Sequence, residues 1–233
     1  MSFSVPDQLT LDVKLHSYNT FDNFIESDKN KQLLNQLRSE VFKQNVFIWG
    51  QRSPGRTHLL HAALHHTEEA GGKAVYIPLQ GSDNLIPSFL KNINGFDLIC
   101  IDDAQYVAGD SEWEAALFTV FNNAADDGSR LLISSTHSQA LFGIKLKDLV
   151  SRLQSCLTFQ VHSLDDGRKR TAVLQHAAAR GLGISESVVD YLMARSERSL
   201  PILMGLLGQL DDNSLQQKRR ITIPLVKEAM GWL

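Results

Sequence analysis

Gly50-Gln51-Arg52-Ser53-Pro54-Gly55-Arg56-Thr57 follows the apolar run Val46–Trp49 and leads into a stretch with helical spacing. The eight residues fit the pattern Gly-x-x-x-x-Gly-basic-Thr, which binds phosphate when it follows a strand and opens a helix. Its glycines let the backbone curl so that N–H groups face an anion, and the N-terminus of the next helix adds partial positive charge. The segment therefore predicts a P-loop that binds the phosphates of a nucleotide, and we include the next residue, His58, in the site.

One position departs from the usual pattern, because the basic residue is Arg56 rather than lysine. A guanidinium is a planar fork that binds phosphate well but does not simply replace an ammonium group. We expect Arg56 to reach the β- and γ-phosphates and the hydroxyl of Thr57 to ligate Mg²⁺. Ser53 and Pro54 stiffen the loop, so nucleotide binding is expected to persist while turnover is slow. The alternative is an ordinary strand–turn–helix corner that uses its glycines only for a tight turn.

Short apolar runs recur along the chain in a pattern that favours a parallel sheet. They are Val46–Trp49, Ala74–Ile77, Asp97–Ile101, Leu131–Ser134 and Cys156–Val161. Helical stretches separate them, such as 57–70 and 112–127, and apolar strands that alternate with helices indicate a sheet covered on both faces. The predicted fold is therefore α/β, with a parallel five-stranded sheet flanked by helices.

After Val161 the pattern changes from strands to helices. Four stretches have apolar residues spaced three and four apart, as in amphipathic helices: Asp165–Arg180, Ser185–Arg195, Leu200–Leu210 and Pro224–Trp232. Arg220–Ile223 is an ambiguous strand. We therefore predict a mobile arm over 1–19, a nucleotide-binding domain over 20–162 and a small C-terminal helical lid over 163–233.

The second informative motif is the apolar run Leu98–Ile101, which ends in Asp102 and Asp103. Downstream of a P-loop, Asp102 is expected to hold Mg²⁺ through water, and Asp103 to orient or deprotonate an attacking water. Two solvated acids at a strand end are the alternative. Thr136, which follows the fourth apolar run, is a candidate sensor of the γ-phosphate or part of a surface loop.

Arg152 lies in Lys147–Leu153, which has the pattern of a short helix before the last strand. An arginine there is placed to reach the nucleotide of a neighbouring subunit. Such an arginine finger stabilises charge on the transferring phosphoryl group and raises the rate by about 10³–10⁵-fold. Without the fold context, Arg152 would be a solvated charge on a helix.

The composition is typical of a globular cytoplasmic protein. The 233 residues carry a net charge of −3 and include 43% hydrophobic and 21% charged residues. A negative chain is not expected to grip DNA by itself, because phosphate binding needs a basic surplus. No apolar run approaches the roughly 20 residues that cross a bilayer, and no signal peptide pattern is present, so we expect no contact with a membrane.

Four segments together resemble the AAA+ module of the bacterial DnaA/Hda family. They are Thr20–Phe24, Gly55–Ala62, Ile101–Gly109 and Ser151-Arg152, and the resemblance covers about residues 18–210. It implies a P-loop AAA+ fold that binds an adenine nucleotide, ADP or ATP, together with Mg²⁺, and it places Phe21 near the adenine. It also implies that Arg152 is an arginine finger and that copies of the chain associate through the nucleotide face.

Three differences from the initiator DnaA point to a regulatory member of the family. The chain ends after the lid, without a counterpart of the initiator's C-terminal DNA-binding domain, and the stretch between Leu79 and Asp97 is shorter than the initiator's insertion. The arm carries Gln8-Leu9-Thr10-Leu11-Asp12-Val13, which is similar to the Gln-Leu-x-Leu peptide that docks into the replicative sliding clamp. The residues expected to contact the clamp groove are Gln8, Leu9, Leu11 and Val13. A disordered tail is the alternative.

The resemblance therefore implies a regulator that prompts ATP-loaded DnaA to hydrolyse its nucleotide. DnaA and the clamp are the implied partners, and DNA is reached only through the clamp. Pro201 occupies the expected place of the lid's sensor arginine, and Arg198 lies one helical turn earlier, so weak or no intrinsic ATPase activity is expected. Two alternatives stay open: a stand-alone ATPase, tested by hydrolysis in the isolated protein, and a clamp or helicase loader, tested by salt-dependent DNA binding.

Overall fold

The structure is a computed structural model that describes residues 19–39, 44–51, 55–80, 86–141, 143–217 and 219–232. Its first body contains α1 (Lys31–Arg38), β1 (Val46–Trp49), α2 (Arg56–Glu69), β2 (Ala74–Pro78), α3 (Pro87–Lys91), β3 (Leu98–Asp102), α4 (Ser111–Asp127), β4 (Arg130–Ser135), α5 (Lys147–Gln154) and β5 (Leu157–Gln160). Short 3₁₀ helices span Ala104–Val107 and Gln139–Leu141. Within the described residues the five strands form one parallel sheet in the order β2-β3-β4-β1-β5. This confirms the predicted α/β fold.

Successive residues of a strand point to opposite faces of the sheet, and here the side chains on both faces are apolar. Helices therefore cover both faces. One face packs its apolar side chains against α4 and α5, and the cluster includes Phe47, Ile99, Ile101, Phe121 and Leu149. The other face packs against α1 and α2, and that cluster includes Leu34, Ile48, Leu59, Cys100 and Leu132. Both faces being buried accounts for the near-continuous apolar strands in the sequence.

The carboxyl ends of the strands bring the two predicted motifs together. The P-loop follows β1, the two aspartates end and follow β3, and β4 lies between these strands. Trp49, the last residue of β1, is in register with Ser135, the last residue of β4. In open α/β sheets, ligands bind beyond the carboxyl ends of the strands, where the strand order reverses. The topology therefore brings the predicted phosphate-binding loop and the two aspartates to the edge where folds of this kind bind ligands.

The residues after β5 form a second body, the lid, with its own apolar core. Its helices are α6 (Asp166–Ala179), α7 (Glu186–Arg195), α8 (Leu200–Gln217) and α9 (Ile223–Met230). Val173, Leu192 and Leu207 are fully buried among them. Asp165 caps α6 by accepting the N–H of Arg168 at 2.8 Å. The helical lid is thus confirmed, and none of the helices in the described ranges is long and apolar enough to span a bilayer.

A buried asparagine fixes the point where the chain enters the lid. The side chain of Asn30 is fully buried and forms two hydrogen bonds with the backbone of His162. Its Nδ2 donates to the carbonyl at 3.0 Å, and its Oδ1 accepts the N–H at 2.9 Å. Both polar ends of the amide are therefore satisfied, and the chain that leaves β5 is tied to the sheet body.

The structure differs from the sequence prediction in three short elements. α1 and α3 were not predicted, because eight and five residues are too few for an apolar period to stand out. The buried leucines of α1 are nevertheless at helical spacing, at Leu33, Leu34 and Leu37. The ambiguous strand at 220–223 is wrong: residues 219–222 are irregular and Ile223 opens α9, where Pro224 in the first turn suits a helix start.

Candidate functional site

Gly55 ends the predicted phosphate-binding loop in a backbone conformation that glycine adopts readily. Its φ of 91° is left-handed, and a Cβ built on it would lie 3.0 Å from the ring of Phe24. Both constraints favour glycine here, at the N-cap of α2. Gly50 is held at the sheet edge because its N–H donates to the carbonyl of Ser135 at 3.2 Å. Gln51, between them, is exposed.

Several predicted site residues lie outside the described part of the chain. They are Arg52, Ser53 and Pro54 of the loop, and Gln8, Leu9, Leu11 and Val13 of the arm. Their roles stay predictions. The loop is therefore described by its two ends, Gly50-Gln51 and Gly55.

Arg56 is buried, and its guanidinium faces the sheet body. The residue is 8% exposed. One terminal nitrogen donates to the carbonyl of Gly50 at 2.9 Å, and the other donates to Oδ1 of Asp103 at 3.0 Å. Its Nε has no hydrogen-bond partner among the residues described. The structure thus joins the predicted phosphate-binding arginine directly to the predicted catalytic aspartate.

Asp102 is the buried centre of a hydrogen-bond network. Its Oδ2 accepts the hydroxyl of Thr57 at 2.7 Å and the phenol of Tyr76 at 2.8 Å. Its Oδ1 accepts the hydroxyl of Ser134 and the backbone N–H of Asp103, the latter at 3.1 Å. Burial and the nearby Asp102 carboxylate raise the pKa of Tyr76, so its phenol stays protonated and donates. The network links β2, β3, β4 and α2.

The residue types of this network fit Mg²⁺, although their present hydrogen bonds limit how they would hold it. Mg²⁺ prefers oxygen ligands, usually with one or two carboxylates and phosphate oxygens. The hydroxyl of Thr57 donates to Asp102 and keeps its lone pairs for a metal ion. The carboxylate has about four acceptor positions, and four protein donors already use them. Thr57 would thus hold the ion, which would screen phosphate charge, and Asp102 would contact it through water after one donor leaves.

Asp103 connects the P-loop to the end of β4 through a glutamine that the sequence analysis missed. Gln105 donates its amide to Oδ1 of Asp103 at 3.0 Å and accepts the N–H of Thr136 at 3.0 Å. The hydroxyl of Thr136 pairs with His137 at 2.8 Å. Asp103 itself has a φ of 56°, in the left-handed region that aspartate enters more readily than most residues with a side chain.

A cleft of about 310 Å³ separates the phosphate site from the lid. That volume is at the lower end of the range for small-molecule sites. The sheet body lines the cleft with residues that include Phe24, Gly55 and His58, and the lid lines it with residues that include His176, Arg198 and Met204. The cleft thus begins at the N-terminus of α2 and extends between two bodies, which suits a ligand with a phosphate end and an apolar end.

Three residues predicted to bind the nucleotide differ in how they relate to the cleft. Arg198 lines it and donates to Asp166 at 2.7 Å. Pro201 is exposed on the first turn of α8, while Leu200 and Met204 of that helix face the cleft. Phe21 is 6% exposed and packs in the body's core, and Phe24 is the aromatic residue of that segment that lines the cleft.

His58 closes one side of the cleft as a neutral side chain. Its Nε2 lies 2.8 Å from the carbonyl of Thr20 and therefore carries the proton of that hydrogen bond. Its ring meets the ring of Phe24 edge-on, with centroids 5.2 Å apart. Burial lowers the pKa of His58; the hydrogen bond to the carbonyl of Thr20 opposes this shift, and the nearby His176 adds to it.

We expect the free energy of unfolding to decrease as the pH falls below 6.5, the ordinary pKa of His58. Below pH 6.5 His58 is protonated in the unfolded chain but stays neutral in the folded chain, where its pKa is lower. The free energy of unfolding therefore decreases as the pH falls from the pKa of the unfolded state to that of the folded state. Urea unfolding between about pH 7.5 and about pH 5 measures this dependence. His58→Gln should reduce the slope and leave the part that comes from His176, whose pKa burial also lowers, while the exposed-site control His137→Gln should keep the full slope. Equal slopes in wild type and His58→Gln would contradict the assignment.

Arg152 is exposed on α5 and leans on the neighbouring helix α4. Its guanidinium donates to Oδ1 of Asn122 at 2.8 Å and lies 6.0 Å from the centroid of the Phe118 ring. Neither contact involves the phosphate site. The structure therefore presents Arg152 at the surface, with its fork held by two side chains of α4.

Comparisons with known proteins identify both bodies. Residues 15–161 match the family described as bacterial DnaA ATPase domain, and residues 166–230 match the family described as Hda, lid domain. Domain III of the replication initiation protein DnaA from Thermotoga maritima superposes with a TM-score of 0.78 at 20% identity, over 91% of this chain and 95% of that one. AMPPCP-bound DnaA from Aquifex aeolicus gives 0.65 at 20% identity, over 85% and 66%.

A motor protein shares the fold as well. The Holliday junction branch migration motor RuvB from Thermotoga maritima gives a TM-score of 0.65 at 17% identity, over 91% of this chain and 71% of that one. At these identities the structural likenesses show an AAA+ fold. The family matches go further, because the DnaA match alone spans more than half of the sequence. The chain therefore belongs to the Hda/DnaA family, with a DnaA-type ATPase domain followed by an Hda-type lid.

Proposed function

We propose that this DnaA-related AAA+ protein is a negative regulator of replication that stimulates the hydrolysis of ATP bound to the initiator DnaA. The observation that carries the proposal is Arg152, an exposed arginine whose fork is held on α4, in a chain that joins an Hda-type lid to a DnaA-type ATPase domain. In AAA+ assemblies an arginine from one subunit meets the nucleotide of the next. We assign this role to Arg152, with ATP-loaded DnaA as the recipient.

In this proposal the cleft holds an adenine nucleotide. A DnaA structure that contains the ATP analogue AMPPCP supports the ligand class. The base would lie against Phe24 and His58, and the phosphates would follow the cleft to the N-terminus of α2 at Gly55. Backbone N–H groups and the helix N-terminus would bind them there. We divide the chain accordingly into an arm (1–19), a nucleotide-binding domain (20–162) and a lid (163–233).

We further propose that the protein hydrolyses its own nucleotide slowly or not at all. Arg56 is held by Gly50 and Asp103, so it is not free to bind a γ-phosphate in this arrangement. The same ion pair and the amide of Gln105 both engage Oδ1 of Asp103, which restrains the carboxylate that would orient the attacking water. In the lid, Pro201 replaces the expected sensor arginine. These features favour a nucleotide-bound regulator over a stand-alone ATPase.

The proposed partners are DnaA, a second copy of the chain at the nucleotide face and the sliding clamp. The clamp peptide is Gln8-Leu9-Thr10-Leu11-Asp12-Val13, which lies outside the described residues. DNA would be reached only through the clamp, in keeping with the net charge of −3. With these partners, we propose a cytoplasmic location for the protein.

The test follows hydrolysis of ATP that has been bound to DnaA beforehand. We expect wild-type protein with DNA-loaded clamp to accelerate the appearance of ADP on DnaA, and the isolated protein to hydrolyse little ATP. The variant Leu9→Ala/Leu11→Ala should lose the clamp-dependent part, because it removes two apolar anchors from the clamp groove. No acceleration by wild type, with clamp loading verified, would contradict the proposed function. Rapid hydrolysis by the protein alone would instead favour a stand-alone ATPase.

A further inference from the structure

Glu114 is a buried carboxylate that plays no part in the nucleotide site. The residue is 1% exposed, in the first turn of α4. A buried carboxylate needs a cation or several hydrogen-bond donors. In the described part of the chain no ion pair joins Glu114 to a basic side chain, so hydrogen bonds must satisfy its charge.

Backbone N–H groups from a turn just before α4 and from a distant segment supply these hydrogen bonds. Oε1 accepts the N–H of Gly109 at 2.7 Å, in the turn that follows the acidic strand. Both carboxylate oxygens accept the N–H of Lys145, at 3.1 and 3.0 Å, and Oε2 accepts the N–H of Leu146 at 2.8 Å. Glu114 thus joins α4 to the segment that enters α5.

The second of these segments is the N-terminus of α5. Leu146 is the N-cap residue of that helix, and a leucine side chain has no oxygen with which to cap it. Helix N-termini leave backbone N–H groups unpaired and carry partial positive charge, so an oxygen acceptor, and above all an anion, stabilises them. Glu114 provides that anion from another helix and fixes where α5 begins.

The spacing along α4 connects this cap to Arg152. Glu114, Phe118 and Asn122 follow one another at intervals of four residues, so they lie on one face of α4. Phe118 and Asn122 contact the guanidinium of Arg152 on α5, and Glu114 holds the start of the same helix. One face of α4 therefore supports α5 at both its N-terminus and its functional side chain.

We propose that Glu114 is a positioning residue for Arg152, which sets the placement of α5 on α4 so that the guanidinium reaches the nucleotide of the partner. The proposal rests on the proposed function of Arg152. Without the carboxylate, α5 keeps its buried leucines Leu149 and Leu153 but loses the contact that fixes its first turn. The side chain of Arg152 then stays on the surface, but its guanidinium is less well aligned with the nucleotide of the partner.

The test compares Glu114→Ala and Glu114→Gln with the control Glu112→Ala. Glu112 is an exposed carboxylate on the same turn of α4. We expect Glu114→Ala to lower the maximal stimulated hydrolysis on DnaA by about tenfold or more, while the half-saturating concentration changes by less than about threefold. Glu114→Gln keeps one oxygen acceptor and should fall between Glu114→Ala and wild type. Rates are taken per folded molecule, with the folded fraction measured by circular dichroism.

A second measurement does not depend on activity. Amide hydrogen exchange at Leu146 and the first turn of α5 should be about tenfold faster in Glu114→Ala and unchanged in Glu112→Ala. Full maximal stimulation by Glu114→Ala, or unchanged exchange at Leu146, would overturn the proposal. So would a loss of stimulation that merely follows the folded fraction. Absence of stimulation by wild type would count against the proposed function, and the exchange data would still decide the role of Glu114 in placing α5.

Discussion

Arg152→Ala should remove nearly all stimulation of hydrolysis on DnaA, a loss of about 10³-fold or more in the stimulated rate if Arg152 is an arginine finger. The guanidinium carries five N–H donors in a fixed fork and places positive charge where the transferring phosphoryl group gains negative charge. The methyl group of alanine supplies neither. Because Arg152 is exposed on α5, its replacement should leave the fold and the nucleotide affinity of the protein unchanged.

Two further variants test whether the planar guanidinium matters beyond its charge, and whether the effect is specific to this arginine. Arg152→Lys keeps the charge but loses the planar fork, so it should restore only a small part of the rate. Arg195→Ala is the matched control, since Arg195 is also an exposed arginine that stacks on an aromatic ring, that of Tyr191 in the lid at 5.6 Å. It should stimulate like wild type. If Arg152→Ala keeps more than about half of the wild-type rate, Arg152 is not the finger.

Asp102→Ala should lower the free energy of unfolding by about 3–5 kcal/mol, because it removes the acceptor of a buried network. The variant leaves three donors without this acceptor, the hydroxyls of Thr57, Tyr76 and Ser134. The N–H of Asp103 keeps a second acceptor, Oγ of Ser134 at 2.9 Å. A buried donor without an acceptor destabilises the folded state, because its lost hydrogen bonds to water are not replaced. Nucleotide binding should also weaken, since Thr57 loses the contact that orients its hydroxyl.

Urea unfolding followed by circular dichroism measures this change. Asp126→Ala is the control, since Asp126 is an exposed carboxylate on α4, and a surface substitution of this kind should change the stability by no more than about 0.5 kcal/mol. Asp102→Asn keeps the size of the side chain but places an amide N–H₂ against protein donors. Its loss of stability should therefore lie between the losses in Asp126→Ala and Asp102→Ala. A loss below about 1 kcal/mol in Asp102→Ala would show that water readily replaces the carboxylate.

The fold could be read from the sequence because its signals are local. The apolar runs, the glycine loop and the paired aspartates each occupy a few adjacent residues, and parallel topology brings the strand ends to one edge. The predicted roles of Thr57 and Asp102 likewise follow from motif order. The structure places these two side chains in contact at 2.7 Å, although the metal role of both stays a prediction.

The remaining features depend on contacts between distant segments. Arg56 and Asp103 each suggested a direct role toward the ligand, and their mutual ion pair appears only when the strand ends are assembled. Glu114 has the sequence context of an exposed helix charge, because two of its donors, the N–H groups of Lys145 and Leu146, lie 31 and 32 positions away. Gln105 gave no signal beyond a polar residue after a strand. Asn30 forms hydrogen bonds with His162, which lies 132 positions later in the chain. No periodic pattern in the sequence could have predicted that contact.

The separate core of the lid has a thermodynamic consequence. The body and the lid each bury their own apolar side chains, and the cleft between them is lined by residues from both. A ligand that contacts both units would be released when either unit opens. Its binding free energy would then add to the free energy of opening each unit and would couple their unfolding. In this way a small molecule can turn two folding units into one cooperative unit.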